Sequence, residues 1–267
     1  MTPVAEHHEW LPEWLESDAA PQTSYRLLTY GELARPDDAA ARLARMVVEA
    51  KSRTASLARL LSRVGWMTES ARLSPSKRPQ LRHGDFGEVL TIGMLDAFDG
   101  IPVPVMKLRV QMDPEQSLHG ADVVGFALSD SPNGLVLDSL EFVEVKCQTT
   151  RHKDVVFRAH EQLKNDAEGN FQDTLEFIFQ RLDELGEVSL LEAFEEYLAS
   201  RQDGPGGNYR LVIVSTSEVW QDDEIAELPD EPDRLSPLRI DIVLVDEMRQ
   251  LIDATWEEVG RIPLEAS

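Results

Sequence analysis

Residues 135–148, LVLDSLEFVEVKCQ, set an acid and a lysine two positions apart inside a run of β-branched and aromatic residues. That placement constrains the fold more than any other feature of the chain. Successive strand side chains point to opposite faces, so Glu144 and Lys146 share one face while Val143, Val145 and Cys147 share the other. A largely buried strand carries charges of both signs only where a partner or a site holds them, because unpaired buried charge is costly. The run ADVVGFAL (121–128) and the turn SPNG (131–134) precede it, so the two stretches read as a hairpin.

The rest of the chain supplies layers for a sheet. LVIVSTSEV (211–219) and LRIDIVLV (238–245) read as buried strands. The stretches 37–65, 84–98, 155–167 and 171–201 read as helices, the second of them stopping at Gly100. After Pro102, VPVMKLRV (103–110) reads as an extended segment. Residues 1–35 read as a loosely structured arm with a short helix near 11–17, and 70–82, with Pro75 and Pro79, as a linker. The expected fold class is a mixed α/β sheet flanked by helices, with a helical N-terminal region. The expected division is an arm and helical region over 1–78 and the main domain over 79–267.

Composition narrows the function. The chain has 267 residues, 42% of them apolar, enough for a substantial core. Lys and Arg number 26 against 49 Asp and Glu, a formal charge of −23, which excludes a uniformly basic nucleic-acid coat. The charge is uneven: residues 40–112 carry a net +6 and residues 160–267 a net −19. Arg42, Arg45, Lys51, Arg53, Arg59 and Arg63 lie on the first long helical stretch, either as a solvated face or as local positive charge for phosphate. The single cysteine, Cys147, excludes a disulfide framework and reads as a core thiol rather than a nucleophile. No apolar run is long enough for a membrane span, and the N-terminal residues lack a signal-peptide pattern. A cytoplasmic protein is therefore expected. GPGG (204–207) lacks the Lys-Ser/Thr of a phosphate loop, so ATP use by this chain is not expected.

The candidate chemistry gathers on the hairpin. Asp122 in LHGAD stands at the start of the first strand, where it reaches the same edge as Glu144 and Lys146. Carboxylates converging there make an oxygen-rich site suited to Mg²⁺ or Mn²⁺, and a neighbouring lysine orients water or offsets charge on a phosphoryl group. The competing reading is an exposed ion pair between Glu144 and Lys146 on an edge strand. His119 and His83 are candidate contacts to phosphate or metal, with ordinary loop histidines as the alternative. Gln162 and Lys164, on the helix after the second strand, are further candidates, as are His152 and Lys153 just after that strand.

An Asp, a gap of about 20 residues, then Glu-X-Lys on a strand is the pattern of the PD-(D/E)XK, restriction-endonuclease-like superfamily, and here Glu144 stands 22 positions after Asp122. The ordered run GDFGEVL, VPVMKLR, LHGADVVGF and EFVEVK, over residues 83–165, resembles the nuclease domain of the HamA family, effectors of the Hachiman anti-phage system. The resemblance implies a PD-(D/E)XK-like fold, divalent-metal-dependent DNA cleavage and a helicase partner that controls it. It implies that Asp122 and Glu144 are metal ligands, Lys146 the catalytic lysine and Glu88 the helix carboxylate completing the site. Lys107 and Arg109 would lie on a neighbouring strand near the DNA backbone; His119, beside Asp122 in HGAD, is a further candidate DNA contact from its position alone. Ala121 stands where the superfamily usually has a proline. Two rivals are carried beside this reading. One is a catalytically inactive nuclease-fold adaptor that docks through its acidic half, and the other is a metal-dependent hydrolase of RNA or a small phosphorylated substrate.

Overall fold

The computed structural model describes residues 8–18, 25–30, 35–51, 76–109, 120–132, 134–201, 206–230 and 233–262. The N-terminal elements are α1 (Leu11–Trp14), β1 (Leu15–Asp18), β2 (Arg26–Tyr30) and α2 (Ala39–Lys51). The long α3 (Pro79–Asp99) leads to β3 (Val123–Ser131) and β4 (Gly134–Cys147). Then come α4 (Val155–Asn165), α5 (Phe171–Leu185), α6 (Val188–Ala199), β5 (Asn208–Ser215), β6 (Leu238–Leu244) and α7 (Met248–Val259).

The six strands form one mixed sheet in the order β1-β2-β6-β5-β4-β3. Its interior is parallel from β2 through β4, and the two outer strands run antiparallel to their neighbours. Alternation divides the strand residues between two cores. Val143, Val145, Val212, Val214 and Val243 face α1, α2, α3 and α7. Leu140, Phe142, Leu211, Ile213 and Ile242 face α4, α5 and α6. The sheet is thus covered on both sides, as the apolar character of β5 and β6 requires.

The expected hairpin and the last two strands are present, and α3 ends at Gly100 as the pattern indicates. Its start at Pro79 lies five residues before the expected one, inside the stretch expected as a linker, with Pro79 in the first turn where a missing N–H costs nothing. Other expectations are also corrected. Residues 8–18 and 25–30 are not a loose arm. Trp10 and Trp14 stack at 5.2 Å and are buried with Leu11 and Leu15, and β2 pairs with β6. Elements on either side of residue 78 therefore share one sheet and one core. Residues 103–109 form no strand: Lys107–Arg109 is a 3-10 turn, and a single bond from Phe126 N–H to Pro102 O ties the segment to β3. Pro102 and Pro104 have no N–H to continue a ladder. The stretch 171–201 is two helices, broken at Gly186 and Glu187. A final helix, α7, went unread, although Met248, Leu251, Ile252, Thr255, Trp256 and Val259 supply its buried stripe. Of the helix expected over 37–65, Ala39–Lys51 is observed and 52–65 lie outside the described residues.

Candidate active site

The opening for a site comes from unequal strand lengths. β3 begins at Val123, opposite Val143, so Glu144–Cys147 of β4 continue with β5 alone as neighbour. Asp122 takes the place of the missing strand, its Oδ2 accepting the Val145 N–H at 2.9 Å. One face of this stretch meets α3, where Gly87 packs against Cys147 and Val145. A Cβ on Gly87 would lie 3.0 Å from Cys147 Cβ, so the missing side chain lets α3 sit close and carries Glu88 to the sheet's edge. The other face meets α4.

Glu144 is completely buried, and its carboxylate forms an ion pair with the Lys146 ammonium. The same-face reading of Glu144 and Lys146 is what the structure shows, and burial of the glutamate sets aside an exposed edge-strand pair. Lys146 Nζ also donates to Gln162 Oε1 of α4 at 2.9 Å, leaving the lysine fixed at both ends and partly exposed. Glu144 Oε2 finds no donor among the described residues.

The carboxyls burden one another. Burial, and next the charge of Asp122, pushes the Glu144 carboxyl up to about 8 despite Lys146. Burial, with Asp122 and Asp85, pushes Glu88 well above the ordinary range. Asp122 is also raised, by desolvation, against the opposing pull of the Val145 N–H and the two lysines. Asp85 is paired with Lys51 at 2.6 Å. Like charges gathered in a desolvated edge are stabilised by a cation. Asp122 and Glu144 suit a divalent ion: both offer hard oxygen, and one buried Glu144 oxygen has no partner among the described residues. Glu88 lies within electrostatic range without closing the set. Among the described residues no three His, Cys, Asp or Glu side chains are grouped so as to hold a metal ion.

With that geometry in place, comparison with known families is decisive on kinship. The family model for HamA matches residues 6–229. The chain belongs to the HamA family. It is accordingly a protein of the Hachiman anti-phage defence system. The match takes in Glu88, Lys107, Asp122, Glu144 and Lys146 and stops short of β6 and α7. No curated protein matches the chain.

The remaining candidates fall in different places. Lys107 is turned inward, donating to Gly120 O at 2.6 Å. Arg109 lies in the same 3-10 turn, its side chain outside the described residues, and His119 is outside them altogether. His83 lies near Arg249 and Asp253 of α7 rather than beside the carboxylates, and desolvation with Arg249 lowers its pKa. Lys164 reaches the Asp233 carbonyl, and the His152 N–H bonds Gln148 Oε1. Burial pushes the Cys147 thiol up to about 12, in keeping with a core thiol. Asp166 escaped the sequence reading. It follows α4 in a π-helical turn, four residues after Gln162, and its charge acts on both Glu144 and Lys107. The spacing of Gln162 and Asp166 on one helix face was the available signal.

Proposed function

We propose that this chain is the nuclease effector of its defence system, a divalent-metal-dependent DNA endonuclease. The observation that carries this reading is the buried Glu144, one of its oxygens without a partner among the described residues, set between Asp122 and Lys146 on the part of β4 that β3 leaves open. Asp122 and Glu144 would hold Mg²⁺ or Mn²⁺, which when bound supplies Lewis-acid stabilisation of charge building on the phosphate. Lys146, tethered by Glu144 and Gln162, presents its ammonium to the attacking water and to a phosphate oxygen. Glu88, within electrostatic range of Asp122, adds to the negative charge there. Arg109 and His119 remain the proposed contacts to the DNA backbone.

Control by a helicase partner is what the HamA resemblance implies, and the charge supports dependence on a partner that delivers DNA. The net −19 over residues 160–267 repels a polyanion, so the chain needs a partner to deliver DNA to a site of its own making. The adaptor reading, a nuclease fold that hydrolyses nothing, draws on one observation: no three ligating side chains converge among the described residues.

Cleavage of supercoiled plasmid with Mg²⁺, Mn²⁺ or EDTA tests the proposal, with Lys146→Ala and Glu144→Ala alongside. The expected result is metal-dependent nicking or linearisation that both variants lack while remaining folded. Folded variants that cut at the wild-type rate overturn the site. Absence of cutting even with the system's helicase present, and RNA and nucleotides likewise intact, establishes the adaptor.

A further inference from the structure

Lys107 departs furthest from the part its sequence context suggests. It stands on no strand, and its ammonium is directed into the protein, 2.6 Å from the Gly120 carbonyl. Gly120 is buried, with a φ of +89°, and a Cβ there would lie 2.7 Å from Thr174 Oγ1 and 3.5 Å from Lys107 Nζ. Backbone of this kind holds its shape only when its surroundings fix it. Two residues on, Asp122 stands outside the β3–β4 ladder, and its carboxylate, not its backbone, caps the open stretch of β4. The Gly120 turn therefore sets where that carboxylate lies. A charged donor on a carbonyl makes a stronger bond than a neutral one, so Lys107 is a firm tether for the turn.

We propose that Lys107 is a positioning residue, which pins the Gly120 turn and thereby aims Asp122 at β4, rather than a contact to DNA phosphate. The inference rests on the reading of Asp122 as part of the site. Its direct reporter is the Val145 N–H, which past the end of β3 is held on that side by Asp122 and by no other described residue.

The test compares Lys107→Met and Lys107→Arg with wild type in three measurements. Amide hydrogen exchange at Val145 reads the tether. Plasmid cleavage reads kcat and the DNA KM, and duplex binding in Ca²⁺ reads the slope of log K against log salt. In Lys107→Met, Val145 exchange should quicken about tenfold and kcat fall about tenfold or more, the DNA KM and salt slope staying as they were. Lys107→Arg, which keeps a charged donor, should restore most of both. Wild-type Val145 exchange and kcat, with a raised KM and a salt slope shallower by about one, would overturn the proposal in favour of a phosphate contact. Should the Met variant not fold, Lys107→Gln carries the test: exchange between the wild-type and Asp122→Ala rates supports the tether, and wild-type exchange overturns it. The Asp122→Ala control, which removes the acceptor of the Val145 N–H, separates the two readings, since full cleavage with that variant removes Asp122 from the site while Val145 exchange still reports on Lys107.

Discussion

At Glu144, stability and function pull in opposite directions. Burial and the charge of Asp122 hold its carboxyl protonated up to about 8, against 4.5 for the free group. Between those values the folded chain binds more protons than the unfolded one, so ionising Glu144 costs stability as pH rises through that window. Glu144→Gln is neutral throughout and escapes that loss. Without divalent metal, the variant should unfold at or below the wild-type temperature at pH 5 and above it at pH 9, with cleavage lost at both. Thermal unfolding in EDTA at the two pH values checks this, and a variant less stable at pH 9 would mean that Glu144 serves chiefly as a partner for Lys146. The pairing of Glu144 with Lys146 was legible in the sequence because strand periodicity is two and a single step decides the face. The Gln162 and Asp166 contributions were harder to read, because a helix side chain needs its phase fixed to within one residue. Lys107 is expected on a strand and stands instead in a 3-10 turn, because Pro102 and Pro104 upstream have no N–H to donate to a ladder.

Among the elements, the least expected feature is a buried ionic network at the other end of the sheet. Arg210 of β5 is fully buried and binds Glu141 of β4, Asp241 of β6 at 3.0 Å and Asp99 at the end of α3 at 2.6 Å. Arg26 of β2 joins it through Asp241 at 2.6 Å and Asp99 at 2.9 Å. The network therefore ties β2 and α3 to the parallel strands beneath them. Removing Arg210 leaves three acids in the interior without their shared cation, and Arg210→Met should destabilise the fold by about 3–5 kcal/mol in chemical denaturation. Acid carries a second signature. Desolvation works to raise the Asp99 carboxyl, but the hydrogen bonds and charges of Arg210 and Arg26 outweigh it and hold the group below its ordinary value. A depressed carboxyl contributes stability above the unfolded pKa and loses it as pH falls through the folded one. Denaturation midpoints should drop below about pH 4 in wild type, and Arg210→Met should show a smaller drop. None of this was visible in the chain, where Arg210, Asp241 and Glu141 sit in separate apolar runs. The strands themselves were visible because β-branched runs have few alternatives, whereas β1 and β2 are short and owe their existence to pairing with β6 and burial under α3.

For the whole molecule, the balance of charge decides how it meets a polyanion. A nuclease working alone binds DNA through many phosphate contacts, and its affinity falls steeply with salt, by close to one log unit per contact in a log–log plot. Here the formal charge is −23, and the positive residues concentrate in 40–112. Arg42, Lys51, Arg82 and Lys107 are already engaged with Asp38, Asp85, Asp253 and the Gly120 carbonyl. The repulsion from the acidic half weakens as salt rises, which offsets counterion release by the remaining cations and flattens the response. Duplex binding by the chain alone, measured by anisotropy in Ca²⁺ between about 25 and 200 mM salt, should show a slope on the order of two or less. Adding the helicase should steepen it, because the partner then supplies the phosphate contacts. A steep slope for the isolated chain, unchanged by the partner, would place the DNA-binding charge within this protein and remove the physical reason for control by delivery.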